Sequence, residues 1–272
     1  MIVKQIPLPP YEEASLTAIC ISNTEELKQT PRRAVIVCPG GGYYFRSDRE
    51  AEPIAMQFLA AGFATFILNY TIKEKAANYA PLCQAALAIK HVREHAAEYN
   101  VDPDHVFTCG FSAGGHLAAW AGVCWDHPAV KAVLGNAPEG ISRPNGMILS
   151  YPVLTAGEFA HKGSIHRLCG KENPTTEEEN LFSLELHVNK TTPPAFLWHT
   201  FSDGAVPVEN SLLMAGALRR AGVPFELHIF PEGQHGLSLS NEQTASGRGE
   251  ALIVPHVQCW MDLAIRWVRD LK

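Results

Sequence analysis

The chain has 272 residues, 46% hydrophobic and 18% charged, with a formal net charge of −6. That length buries a full core, and the balance excludes a disordered chain. Mild acidity without a Lys/Arg run gives no electrostatic reason to bind nucleic acid, and no apolar run reaches the roughly 18 residues of a membrane span.

In chain order, the first ten residues lack the apolar core of a signal peptide. Residues 16–21 read as an edge strand. Residues 34–38 form a short continuous apolar run, the pattern of a strand covered on both faces. A helix starts near Pro53, which suits a first helical turn, carries Ile54, Met56, Phe58 and Leu59, and stops at Gly62. A strand at 64–70 follows, then a long amphipathic helix over 80–99, and Asp102-Pro103-Asp104 turns the chain into a strand at 106–109. A helix at 115–121, strands at 146–151 and 195–200, a helix at 208–221, a strand at 225–230 and a terminal helix over 254–271 complete the order. The β-α-β-α alternation predicts one α/β domain over 1–272, with a mostly parallel sheet and helices on both faces.

Residues 155–192 break this rhythm with a polar stretch that holds Glu177-Glu178-Glu179. So long a span is seldom structureless in a compact domain, which points to a small helical insertion near the site; a crossover helix with loose surface loops is the other reading. The seven cysteines are scattered, with no CxxC and no zinc-like Cys/His spacing. Buried free thiols in a reducing cytoplasm, and no metal, are the expectation.

The chemistry concentrates at Gly110-Phe111-Ser112-Ala113-Gly114, between a strand and a helix. This is the pattern of a nucleophile elbow, in which glycines two before and two after the serine let the two arms of a sharp turn pass. A serine hydroxyl needs a base, and the base needs an orienting group. In an open parallel sheet these groups belong on loops at the carboxyl ends of strands. Asp203 follows the strand ending at Thr200, and His235 follows the strand ending at Phe230. The order Ser112, Asp203, His235 is that of α/β-hydrolase triads. Taken alone, Asp203 also fits a turn or N-cap aspartate and His235 a solvated loop histidine. His116, inside the elbow helix, and His199, inside a strand, read as packed residues.

Acyl transfer also needs amide donors for its oxyanion. Pro39-Gly40-Gly41-Gly42-Tyr43 follows the 34–38 strand, and consecutive glycines can turn their amides toward one point. The expected oxyanion hole is the N–H groups of Ala113, Gly41 and Gly42. A phosphate loop is the weaker reading, since neither GxxxxGK[ST] nor a helix-opening GxGxxG is present. Tyr43 and Tyr44 could line the pocket and stack on a sugar face, or be core and rim aromatics.

These motifs, with Arg49-Glu50-Ala51-Glu52-Pro53, the Pro193–Thr200 strand, Val206-Pro207-Val208-Glu209 and Phe230-Pro231-Glu232-Gly233-Gln234-His235-Gly236, resemble the bacterial acetyl-esterase and acetylxylan-esterase-like branch of the α/β-hydrolases, xylanase-B-like esterases among them. The resemblance runs from about residue 33 to the C-terminus. It implies an α/β-hydrolase fold, the triad Ser112, Asp203 and His235, no cofactor, and a small carboxylic ester as substrate, often an acetylated sugar or oligosaccharide. In one departure, proline stands where the related HGGG loop opens with histidine, so no side chain at that position can brace the loop. A peptidase of the same fold and a non-catalytic hydrolase-fold binding protein are the alternatives. Neither nucleic acid nor membrane is expected as a partner, and a homo-oligomer is left open.

Overall fold

The continuous apolar runs become the strands of one twisted sheet. The computed structural model describes residues 1–26, 30–245, 247 and 249–272. Among these residues the strands are β1 (Ile2–Leu8), β2 (Tyr11–Cys20), β3 (Arg32–Cys38), β4 (Ala64–Asn69), β5 (Val101–Phe111), β6 (Gly146–Ser150), β7 (Ala195–Thr200) and β8 (Phe225–Phe230). They lie side by side in the order β1-β2-β4-β3-β5-β6-β7-β8. β2 runs against both its neighbours, and every pairing from β4 to β8 is parallel. The mostly parallel sheet predicted from the alternation is therefore present.

Helices α1 (Glu52–Ala60), α2 (Ala80–Glu94), α3 (Ala96–Tyr99), α4 (Ala113–Val123), α5 (Pro128–Leu134), α6 (Lys162–Cys169), α7 (Thr176–Asn180), α8 (Glu209–Ala221), α9 (Glu242–Ala245) and α10 (Trp260–Asp270) surround it. Alternate side chains of each central strand supply two cores. Ala34, Ile36 and Cys38 of β3 join Leu82, Ile89, Leu117, Val130, Ile165 and Leu218 from α2, α4, α5, α6 and α8. Val35 and Val37 face the other way, with Ile54 and Phe58 of α1 and Trp260, Ala264 and Val268 of α10. Burying an aliphatic or aromatic side chain contributes roughly 1.5–3 kcal/mol, so this division is the main force that orients the sheet.

Two local expectations are corrected, and one helix was not read. The strand read at 16–21 is not an edge: it is the end of β2, and β1 covers it through an antiparallel hairpin. β1 escaped notice because only Ile6 and Leu8 of it are buried. The helix read over 80–99 breaks at His95, and Asn100 ends α3 in the left-handed conformation. α5 was not read; Pro128 opens it, and it buries only Val130. All seven cysteines are free, with Cys20, Cys38, Cys83 and Cys109 buried. Among the described residues no helix is long and apolar enough to cross a membrane, and no cluster of His, Cys, Asp or Glu could hold a metal.

Candidate active site

β3, β5, β6, β7 and β8 run the same way, so the loops that follow them meet at one edge of the sheet, where open α/β folds bind ligands. The turn from β5 into α4 is tight. A Cβ on Gly110 would sit 2.0 Å from Gly114 O, and one on Gly114 would sit 2.0 Å from Cys38 O. Ser112, squeezed between them, adopts φ 53° and ψ −118°, a conformation rarely open to a side-chain-bearing residue. Its N–H donates to Ser150 O (3.1 Å) and its carbonyl accepts from the N–H of Val153 (3.0 Å), so β6 and the segment just beyond it clamp the turn.

His235 and Asp203 meet this serine. Ser112 Oγ lies 2.8 Å from His235 Nε2, and His235 Nδ1 lies 2.7 Å from Asp203 Oδ2. Asp203 is buried, and its Oδ1 accepts the N–H groups of Ala205 and Val206, each at 2.9 Å. Burial pushes its carboxyl upward. Hydrogen bonding to His199 and His235 and from the Val206 amide outweighs this and holds it well below the usual carboxylate range. An ionised Asp203 therefore accepts from Nδ1–H and leaves His235 Nε2 able to take the serine proton. His199 packs against the same carboxylate as expected for a packed residue. Its Nε2–H donates to Val206 O (2.9 Å) and lies 3.4 Å from Asp203 Oδ2, while Nδ1 accepts from Ser211 Oγ (2.8 Å).

The glycine loop after β3 faces Ser112. Gly41 and Gly42 adopt φ 124° and 63°, which their lack of a Cβ permits. Among the described residues the amides of Gly41, Gly42 and Ala113 meet no backbone acceptor. Tyr43 does not line the pocket. Its positive φ of 57° turns the ring inward, where it is fully buried and donates from its hydroxyl to His116 Nδ1 (3.0 Å). Tyr44 borders the cleft and is 55% exposed, with the Arg167 guanidinium 5.0 Å from its ring centre.

The cleft above Ser112 encloses about 510 Å³ and is lined by Gly41, Gly42, Ser47, Arg49, Gln234 and His235, together with His161 and Arg167. The last two come from the 155–192 segment and were not read from the sequence, because nothing in a polar stretch marks which residues turn inward. Asn210 ties that segment to α8, accepting the N–H groups of Leu154 (2.8 Å) and Thr155 (3.0 Å) and donating to Phe159 O (2.9 Å). Arg167 Nη1 donates to Gly42 O (3.2 Å), joining α6 to the glycine loop. His161 Nδ1 accepts the Ser164 amide, so the neutral ring carries its proton on Nε2. Burial first, then the neighbouring His235 and Arg167, lower its pKa and favour that neutral form.

His116, under the elbow, has a consequence for stability. It is fully buried, with Nε2–H donating to Phe182 O (3.0 Å), and burial lowers its pKa from 6.5 to about 4. The unfolded chain gains a proton near pH 6.5 that the folded chain refuses until about pH 4. Stability therefore rises with pH across that window and falls on acidification. Between pH 7.5 and 5 the expected loss from this group is about 2 kcal/mol. Urea unfolding at the two pH values should show the His116→Gln chain losing that much less than the parent; equal losses would contradict the assignment.

The chain is similar to several known proteins. The chain matches the BD-FAE family over residues 22–218. It is 42% identical over 222 residues to an endo-1,4-β-xylanase B of Butyrivibrio fibrisolvens, covering 79% of this chain and 34% of that one. It is 32% identical over 209 residues to an acetylxylan esterase of Xylanibacter ruminicola, covering 75% of this chain and 41% of the relative. The chain thus spans between a third and a little over two fifths of the length of these relatives. Among solved structures, an acetyl ester-xyloside bifunctional hydrolase of Caldicellulosiruptor lactoaceticus superimposes with a TM-score of 0.81 at 34% identity, covering 98% of this chain and 95% of that one. A carboxylesterase of Lactobacillus plantarum reaches 0.87 at 28% identity, covering 99% and 98%. With its sheet order, its elbow and these relatives, the chain belongs to the BD-FAE family, in the acetyl-esterase and acetylxylan-esterase-like branch of the α/β-hydrolases.

Proposed function

We propose that the chain is a serine carboxylesterase that removes short acyl groups, acetyl above all, from sugars or xylo-oligosaccharides. The observation that carries this reading is the series Ser112–His235–Asp203, joined at 2.8 and 2.7 Å at the floor of an open cleft. His235 Nε2 takes the proton of Ser112 as Oγ bonds to the ester carbonyl carbon. The oxyanion then rests on the N–H groups of Ala113, Gly41 and Gly42, each such donor contributing about 3–4 kcal/mol to the transition state. Collapse breaks the bond to the alcohol oxygen, which leaves with the proton from His235. Water, deprotonated by the same imidazole, attacks the acyl-enzyme and returns Ser112 with release of the acid.

The cleft wall is mixed, with Tyr44, Phe45 and Leu252 beside polar side chains, and its donors support a polar alcohol. Ser47, Gln234, Arg167 and the Nε2–H of His161 offer donors to sugar oxygens, and the 155–192 segment serves as the wall on the alcohol side. The acetyl preference rests on the relatives named for acetyl esters. The free thiols, four of them buried, suit a reducing compartment such as the cytoplasm.

A series of p-nitrophenyl esters from acetate to octanoate, together with acetylated xylo-oligosaccharides, tests the reading. The expected outcome is the highest kcat/KM with acetate and release of acetic acid from the oligosaccharides. A preference for butyrate or longer acids would overturn the acetyl assignment, and turnover of peptide amides without ester turnover would favour a peptidase.

A further inference from the structure

The Arg49-Glu50 pair stands outside the triad and the glycine loop, yet Glu50 is a buried carboxylate, 3% exposed, beside Ser112. It lies in a short 3-10 turn, Asp48–Glu50, just before α1. Its Oε2 accepts the N–H of Gly40 at 2.9 Å. Its Oε1 accepts the hydroxyl of Tyr151, which follows β6, at 2.6 Å. The same hydroxyl oxygen accepts the N–H of Ser238, three residues beyond His235, at 2.9 Å. Ser238 Oγ donates back to Arg49 O (2.6 Å), and Arg49 Nη2 donates to Gly236 O (2.8 Å). Burial, and next the Glu50 carboxylate, raise the Tyr151 phenol well above its ordinary value, so it stays a donor.

We propose that Glu50 is a positioning residue that holds the glycine loop and the His235 loop in register, replacing the brace that proline at position 39 cannot supply. Both carboxylate oxygens are used, one on each loop's hydrogen-bond chain, so a single rigid group sets where the Gly41 and Gly42 amides stand relative to Ser112 and His235. An amide at position 50 has one acceptor and one donor. Glu50→Gln therefore leaves either the Gly40 N–H or the Tyr151 O–H without a partner, in a buried place where such a group is costly. The loop shifts to relieve this, and the oxyanion donors lose their aim in the transition state more than in the ground state.

The inference rests on the esterase reading, so the test begins with the parent chain turning over p-nitrophenyl acetate and binding a boronic acid, which forms a tetrahedral adduct on serine. If the parent does neither, the esterase reading fails. Given an active parent, Glu50→Gln is expected to lower kcat on the order of 100-fold with KM changed less than about threefold. Boronic acid affinity should weaken in parallel with kcat/KM. Tyr151→Phe, which removes only a hydroxyl, should give a smaller fall of the same kind. The double variant should match Glu50→Gln instead of multiplying the two losses, as expected of one network. An unchanged kcat, a rise in KM alone, or independent multiplying losses would overturn the proposal. Should Glu50→Gln fail to fold, Tyr151→Phe carries the test: a kcat fall with steady KM and weaker boronic acid binding supports it, and parent-like kinetics overturn it.

Discussion

Ser112→Ala is expected to lower ester turnover by roughly four to six orders of magnitude while leaving the fold intact. The side chain is small and only 8% exposed, and the strained backbone that presents it is held by main-chain bonds to Ser150 and Val153, which alanine keeps. What disappears is the atom that bonds to the carbonyl carbon. Cleft and amide donors remain, so a residual rate above that of water should persist. Asp203→Asn should be less severe, at about four orders, because the histidine and serine stay while the tautomer of His235 is no longer enforced. The losses will not add, since the three residues act as one unit. The check is the rate on p-nitrophenyl acetate together with labelling by a fluorophosphonate probe. A Ser112→Ala chain that hydrolyses the ester at the parent's rate, or still takes up the probe, would remove the proposed mechanism.

Gly114→Ala is expected to destabilise the fold strongly. The added methyl would lie 2.0 Å from Cys38 O and 2.4 Å from Pro39 O, both backbone atoms at the end of β3. Neither can yield without breaking the pairing of β3 with β5 or shifting the glycine loop. Overpacking against fixed backbone of this kind costs about 3 kcal/mol. Gly222→Ala offers the contrast: nothing lies within 4 Å of its Cβ position, and only the left-handed backbone, φ +73° and ψ 18°, is strained, so about 1 kcal/mol is expected. Urea midpoints of the two variants should differ accordingly. A Gly114→Ala chain as stable as Gly222→Ala would mean that the elbow does not press against β3.

The parts of this molecule that follow from spacing were legible. β7 and β8 have the bounds read from the sequence, and Asp203 and His235 stood out because each stands just beyond a strand that runs the same way as β5. Direction at single residues was not legible. Tyr43 and Tyr44 are identical side chains one position apart, and one is in the core while the other borders the cleft. The cause is a left-handed φ at Tyr43, which no composition or periodicity reports. Glu50 escaped for another reason. An acidic residue ahead of a helix is ordinary on electrostatic grounds, and its partners, Gly40 and Tyr151, lie 10 and 101 positions away. β1 was missed because an edge strand needs few apolar residues, its outer side chains being free to carry charge.

The bond from Arg167 to Gly42 O makes the wall of the cleft a mechanical support of the loop proposed to stabilise the oxyanion. A foreign 155–192 segment grafted in to admit a different alcohol must bring its own donor to that carbonyl, or the altered selectivity arrives with a slower enzyme. On the proposed mechanism, exchanging that segment would change substrate range and turnover together, through one guanidinium.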